Sequence, residues 1–222
     1  MEQAFWHDRW HNDQLGFHLP FVHPILTRFL PDYALPAGAC VFVPLCGKTL
    51  DIGWLLEQGH RVVGAELSEL AVSQLFAELG VEPQIEAWRG GRCFRHGDLT
   101  VFQGDIFALE PGEVGTVDLV YDRGALVAMP AAMRKTYVAQ VLTFSDDAPQ
   151  LLISFEFDPR EMDGPPFPVL PDELKRLYVD AFGLSELSRK DVIAHQQQFR
   201  EAGVTRFVEV AWQLLPTTVR GV

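Results

Sequence analysis

Residues 40–67 contain two apolar runs separated by a segment of helical spacing. "CVFVP" (40–44) and "RVVGAEL" (61–67) are typical of buried strands, whereas residues 50–58 have the apolar spacing of a helix that Gly59 ends. Two strands joined by a crossover helix lie parallel in one sheet, because such crossovers are right-handed. The sequence therefore predicts an α/β fold with a doubly wound, mostly parallel sheet.

The rest of the chain continues this alternation. Residues 1–36 are rich in aromatic residues and histidines, and we expect them to form a helical arm over a core made by residues 37–222, all within one domain. Helices are predicted near residues 4–11, from Pro24 to about Pro31, and over 69–79 (capped by Ser68), 131–144, 172–182 and 195–202. Further strands are predicted as a hairpin turning at His96-Gly97-Asp98 and at 116–122, 150–157, 185–192 and 205–215, with a proline-rich loop at 158–171.

The net charge and the cysteine content of the chain disfavour some classes of partner and some cellular compartments. The 222 residues have a formal net charge of -12, which disfavours nucleic acid and anionic membranes as partners. The three cysteines form no CxxC pair, and we see neither a signal peptide nor an apolar run long enough to cross a membrane. We expect a cytoplasmic monomer with reduced thiols.

Gly47-Lys48-Thr49 follows the first strand and has the ending of a phosphate-binding loop. Such a loop needs a glycine five residues before Gly47, yet that residue is Phe42, and Pro44 lacks a backbone donor. The GxGxxG pattern of dinucleotide-binding proteins is absent too. A triphosphatase and a nicotinamide-dependent reductase are therefore both disfavoured.

Glu66 ends the second strand, about twenty residues after the glycine turn. In a doubly wound sheet this position lies beside the ribose of a bound nucleoside, and a carboxylate there accepts hydrogen bonds from the ribose hydroxyls. Without a phosphate cradle the nucleoside should have no phosphate, and S-adenosylmethionine fits that description. A solvated charge at a strand end is the open alternative for Glu66.

Four motifs in order resemble one family: "VPLCGK" (43–48), "HRVVGAELSE" (60–69), "YDRGALVAM" (121–129) and "DGPPF" (163–167). They are similar to the thiopurine S-methyltransferases in their shorter bacterial form, over about residues 6–214. The resemblance implies a class I methyltransferase fold, with a seven-stranded sheet whose last strand is antiparallel, and S-adenosyl-L-methionine as methyl donor. It also implies small aromatic or heterocyclic thiols as acceptors, with selenium or tellurium compounds linked to bacterial relatives.

The resemblance assigns cofactor-binding roles at the strand ends. It places Leu45 against the methionine portion, makes Glu66 the ribose ligand, and puts Asp105 and Ile106 at the adenine. Arg123 is implied to lie near both cofactor and acceptor, where a guanidinium can hold a carboxylate. Core packing for Ile106 and a salt bridge from Arg123 to Asp122 or a neighbouring acid remain open.

The arm is implied to contribute Trp10, with Phe17 as an acceptor-side residue. Trp6 lies one helical turn from Trp10, and we interpret it mainly as a packing residue. An indole face attracts the positively charged sulfonium of the donor. His7 and His11 have the spacing of a zinc-binding HExxH helix, but Asp8 replaces the glutamate, so no metal site is predicted.

For the acceptor side, the resemblance makes Asp158 and Phe167 candidates to contact the substrate. Because Asp158 follows an apolar strand, we also expect it to be a candidate proton acceptor. By the resemblance, mammalian relatives place an arginine near the substrate where this chain has Gln198, with Arg200 nearby. Methyl transfer to a thiolate is an in-line displacement that mainly requires alignment and exclusion of water. A module that binds a nucleoside or a small thiol without turnover is the alternative function.

Overall fold

A nine-stranded sheet forms the centre of the structure, a computed structural model that describes residues 3–178 and 181–217. The spatial order is β3-β4-β5-β2-β1-β6-β7-β9-β8. The strands are β1 Cys40–Pro44, β2 Arg61–Glu66, β3 Gln84–Trp88, β4 Gly91–His96, β5 Leu99–Gly104, β6 Leu119–Arg123, β7 Gln150–Glu156, β8 Phe182–Asp191 and β9 Val208–Pro216.

Strands β5, β2, β1, β6 and β7 are mutually parallel, and β9 pairs antiparallel with both β7 and β8. The antiparallel last strand is confirmed, whereas the expected count of seven strands is wrong. The predicted hairpin adds β4 antiparallel to β5, and β3 adds a further antiparallel strand at that edge. Residues of β3 are mostly exposed, Ile85 included, so pairing with β4 stabilises this strand more than burial of an apolar face does.

Seven α-helices occur within the described residues. They are α1 Gln3–His11, α2 Pro24–Phe29, α3 Leu50–Glu57, α4 Glu69–Glu78, α5 Ala131–Ser145, α6 Pro171–Tyr178 and α7 Gln197–Glu201. The predicted Ser68 cap is confirmed, since Ser68 Oγ accepts a hydrogen bond from the Ala71 N–H at 3.3 Å. The helix predicted over 172–182 is too long, because Phe182 already begins β8. None of these helices has the length and apolarity needed to span a bilayer.

Two apolar cores lie on opposite faces of the sheet, as alternation along the strands requires. In β1, Val41 and Val43 pack with residues of α3 and α4, whereas Phe42 lies in the other core, 4.7 Å from the ring of Phe144 on α5. The fully buried strand position of Phe42 explains why no phosphate-binding loop forms here.

Asp122 on β6 is a carboxyl group buried beneath the end of the sheet. It accepts hydrogen bonds from the Tyr137 hydroxyl at 2.7 Å and from the N–H groups of Ala125 and Leu126 at 3.2 and 3.1 Å. Burial raises the pKa of Asp122 to about 6, against the opposing effect of these hydrogen bonds. Because β6 alternates, Asp122 and Arg123 point to opposite faces, and the ion pair left open for them does not form among the described residues.

We predict that Asp122→Asn changes how the free energy of unfolding depends on pH. A raised pKa in the folded state favours folding of the protonated form, so this contribution is present below pH ~4 and is lost as the pH rises through about 6. As the pH rises from ~4 to above about 6, the free energy of unfolding of the wild type should therefore fall by about 3 kcal/mol relative to that of Asp122→Asn. Urea unfolding of both proteins at several pH values measures the difference, and a difference that is constant with pH would contradict the assignment.

Candidate functional site

A cavity of about 450 Å³ lies at the carboxyl ends of β1, β2, β5 and β6, under the N-terminal arm. The strand order reverses between β1 and β6, since the chain runs from β1 outward to β2 and β5 and then returns to β6. Such a switch point leaves a crevice beside the strand ends, where open α/β sheets bind ligands. The cavity also lies within the usual size range of small-molecule sites.

The turn after β1 contains two residues in the left-handed backbone region. These are Leu45, with φ 47°, and Gly47, with φ 53°. A Cβ at Gly47 would lie 3.2 Å from the Trp10 ring, so this position needs glycine for its backbone and for the close approach of the arm. Leu45 adopts a conformation that is uncommon for a residue with a side chain, and such positions cluster at functional sites. The Leu45 side chain lines the cavity and packs against the core beneath it.

Glu66 brings the turn after β1 and the start of α4 together. Its carboxylate accepts the Gly47 N–H and the Ser68 N–H, both at 2.8 Å, and only 7% of the residue is exposed. Burial raises the pKa of Glu66, and these backbone hydrogen bonds oppose that shift. The structure therefore places a buried carboxylate at the cavity wall, not the solvated charge left open as the alternative.

The ends of β5 and β6 contribute Asp105, Ile106 and Arg123 to the cavity. Asp105 accepts hydrogen bonds from Gln3 Nε2 at 2.9 Å and from the Phe107 N–H at 3.0 Å. Ile106 is buried and belongs to both the cavity wall and the apolar core. Arg123 donates from Nη2 to the carbonyl oxygen of Phe17 at 2.9 Å.

The arm closes the cavity with aromatic side chains. Phe17 lies edge to face with both Trp6 and Trp10, at ring-centroid distances of 5.6 and 5.7 Å, and all three line the cavity. Gln198 Nε2 on α7 donates to the Gly16 carbonyl oxygen at 3.2 Å. The segment 16–18 is thus attached on one side to the end of β6 and on the other to α7.

The far end of the cavity is apolar. Val127, Met129 and Met133 contribute from the segment after β6 and from α5, and Met162, Pro165 and Pro166 contribute from the proline-rich loop. Phe207 extends this wall, with ring centroids 4.8 Å from Phe155 and 4.5 Å from Phe199. Thioether and aromatic side chains form a polarizable surface suited to a flat apolar ligand.

Asp158 and Phe167, both predicted for the acceptor side, do not line this cavity. The Asp158 carboxylate bonds to the guanidinium and backbone N–H of Arg160, and this partner lowers its pKa to about 2. Phe167 follows the cavity-lining prolines, and its N–H donates to the Val127 carbonyl oxygen at 2.7 Å. Their acceptor-side roles stay predictions, and the geometry gives neither of them support. Arg200 also lies outside the lining, bonded to backbone carbonyls of residues 193 and 194.

Among the cavity residues that were not predicted from the sequence are His18, Asp51 and Tyr121. Asp51, in the first turn of α3, is buried and accepts the His23 N–H at 2.7 Å and the Tyr121 hydroxyl at 3.0 Å. Tyr121 precedes Arg123 by two residues, so the alternation of β6 could have placed it on the same face. Among the described residues no group of three or more His, Cys, Asp or Glu side chains is arranged to hold a metal ion.

We predict that Glu66→Ala destabilises the fold as well as altering the cavity. Two buried N–H groups would lose their acceptor, which should lower the free energy of unfolding by about 2 kcal/mol or more. Glu69→Ala is the matched control, because Glu69 forms an exposed pair with Arg92 and should have little effect. Urea unfolding measures both variants, and equal, small effects would show that the Glu66 hydrogen bonds contribute little.

Solved structures share this fold at low sequence identity. A Burkholderia thailandensis 1,6-didemethyltoxoflavin-N1-methyltransferase, solved with 1,6-didemethyltoxoflavin and S-adenosylhomocysteine, superposes with a TM-score of 0.61 at 17% identity, covering 96% of this chain and 86% of that one. A SAM-dependent methyltransferase from Anabaena variabilis gives a TM-score of 0.63 at 12% identity, covering 96% and 94%. These similarities show a class I methyltransferase fold, here with two additional edge strands.

Several curated proteins share much higher sequence identity with this chain than those solved structures do. The thiopurine S-methyltransferase of Xanthobacter autotrophicus is 50% identical over 179 residues, which cover 80% of this chain and 84% of the relative. That of Pseudomonas paraeruginosa is 43% identical over 215 residues, covering 96% and 99%. The family model described as thiopurine S-methyltransferase matches residues 1–217. This chain therefore belongs to the thiopurine S-methyltransferase family.

Proposed function

We propose that this protein transfers a methyl group from S-adenosylmethionine to the sulfur of small aromatic or heterocyclic thiols. The observation that carries the proposal is a single cavity that joins a buried carboxylate, an aromatic arm and an apolar wall. Family membership and the names of the sequence relatives support the same activity.

The residues at the ends of β2 and β5 fit an adenosine without phosphate. Each Glu66 oxygen already accepts one backbone N–H and retains a second acceptor position, so two positions are available for two neighbouring ribose hydroxyls. Ile106 would contribute an apolar surface to the adenine, and Asp105 a polar edge. The strand conformation of Phe42 leaves no phosphate cradle, which suits a nucleoside of this kind.

The methionine portion would lie between the turn after β1 and the end of β6. Leu45 lines this part of the cavity, and the Arg123 guanidinium, whose bond in the structure is to a backbone carbonyl, has donors left for a carboxylate. S-adenosylmethionine supplies an activated methyl group on a positively charged sulfur. Trp10, 4% exposed and packed over Gly47, would present its ring to that charge.

The acceptor would occupy the space between Phe17 and the apolar wall, close to Arg123. This wall consists of aromatic, proline and methionine side chains, and Gln198 beside it is uncharged, so we propose an apolar aromatic acceptor. Selenium and tellurium compounds, which are similarly polarizable, are included in the proposal.

We also propose that residues 1–222 form one domain, with an arm of residues 1–36 on a core of residues 37–222, and that the protein is a cytoplasmic monomer. The net charge of -12 supports a small-molecule partner over nucleic acid or anionic membrane.

The test of the function is turnover with methyl-labelled S-adenosylmethionine and a panel of thiopurines, aryl thiols, selenite and tellurite. We predict labelled methyl thioethers from the aryl and heterocyclic thiols. Tight calorimetric binding of S-adenosylhomocysteine without product from any acceptor would instead favour a binding module.

We predict that Trp10→Leu weakens binding of S-adenosylmethionine more than binding of S-adenosylhomocysteine, because only the former has a cationic sulfur. The differential loss should be about 1 kcal/mol, roughly fivefold in affinity, and Trp10→Phe should retain part of it. Titration calorimetry with both ligands measures the ratio. Equal losses for the two ligands would mean that Trp10 acts by packing alone.

A further inference from the structure

Methylation of a thiol releases a proton, and the cavity contains few groups that can accept it. The thiolate is the nucleophilic form of a thiol, so removal of this proton accelerates the transfer. Asp158 lies outside the cavity and bonds to Arg160. The cavity carboxylates Glu66, Asp51 and Asp105 each accept two hydrogen bonds from the protein already.

His18 is the histidine of the cavity lining and differs from these carboxylates. Its imidazole makes no hydrogen bond to any other side chain or backbone group in the described ranges 3–178 and 181–217. The segment that presents it is nevertheless fixed, because the His18 N–H donates to the Leu15 carbonyl oxygen at 2.8 Å. The two preceding residues bond to Arg123 and Gln198, so His18 lies where the strand ends meet the acceptor wall.

The charges around His18 favour its neutral form. Lys48 from the turn after β1 and Arg123 from β6 face it, together with the carboxylates of Asp51 on α3 and Glu78 on α4. Burial lowers the pKa of His18 most, the two cations lower it further, and the two carboxylates oppose them. A neutral imidazole has one ring nitrogen with a free lone pair.

We propose that His18 is the catalytic proton acceptor for the thiol. The S–H bond breaks, the proton binds a ring nitrogen of His18, and the electron pair left on the thiol sulfur forms the bond to the methyl group. The bond between that methyl group and the donor sulfonium would break at the same time, with its electron pair staying on the donor sulfur to leave S-adenosylhomocysteine. The imidazolium that results lies beside Lys48 and Arg123, which favours release of the proton to solvent before the next turnover. This inference rests on the proposed methyltransferase function.

The role has a consequence for acceptor choice. A thiol that is already ionised at the assay pH needs no base, whereas a weakly acidic thiol does. Loss of His18 should therefore slow methylation more when a smaller fraction of the acceptor thiol is ionised at the assay pH. A residue that only positions the arm or binds the donor would affect both kinds of thiol equally.

The experiment compares wild type, His18→Gln and His11→Gln with pentafluorothiophenol, which is ionised at pH 7, and benzyl mercaptan, which is not. His11 is the matched control, because it is an exposed histidine of the same arm whose ring nitrogen bonds to the His7 carbonyl oxygen. His18→Gln should lose about 100-fold or more in kcat/KM with benzyl mercaptan and little with pentafluorothiophenol. Imidazole added to His18→Ala should restore part of the rate with benzyl mercaptan. An equal loss with both thiols would overturn the proposal.

A second measurement needs no turnover. Thiophenol bound to the complex with S-adenosylhomocysteine absorbs in the ultraviolet as its thiolate, so its ionisation can be titrated directly. It should ionise at lower pH in the wild type and His11→Gln than in His18→Gln, with unchanged affinity for S-adenosylhomocysteine by calorimetry. Identical titration curves, or a large loss of S-adenosylhomocysteine affinity in His18→Gln, would overturn the role of His18. Failure of the wild type to methylate any thiol would instead contradict the proposed function.

Discussion

The site depends on one buried carboxylate at the end of the second strand. By accepting the N–H groups of Gly47 and Ser68, Glu66 holds the turn after β1 against the N-terminus of α4. Both N–H groups lie where the chain leaves regular structure, so neither has a partner in a strand or helix ladder. The same carboxylate therefore stabilises the turn and presents acceptor positions to the cavity.

The arm depends on this turn in two ways. Gly47 has no side chain, which lets the Trp10 ring approach the turn, and Arg123 holds the Phe17 carbonyl oxygen on the other side of the cavity. Further along the arm, Ile25, Leu26, Phe29 and Leu30 are buried in the apolar core on one face of the sheet, so packing fixes this part of the arm to the core.

Charge is distributed unevenly within the cavity. Glu66, Asp51, Lys48 and Arg123 lie near the strand ends, whereas methionine, proline and phenylalanine side chains form the opposite wall. A zwitterionic nucleoside is complementary to the first part, and an uncharged aromatic ring to the second. Phe17 contacts Trp6 and Trp10 where the arm crosses from the charged part of the cavity to the apolar part. His18 follows Phe17 directly in the chain.

The sequence by itself determined the strands and helices of the parallel core, the Ser68 cap and the absence of a phosphate loop, because these depend on local periodicity and backbone chemistry. It also identified the family and several of the residues that line the cavity, among them Trp10, Glu66 and Arg123. It missed β3, a short and mostly exposed strand that pairs with β4, and it extended α6 to Phe182, whose burial suits a strand as well as a helix. Only the tertiary structure decided that Asp158 bonds to Arg160 away from the cavity and that His18 faces the cavity without a hydrogen-bond partner among the described residues. Such differences arise from how the arm and loops pack in space, and spacing along the chain does not encode that directly.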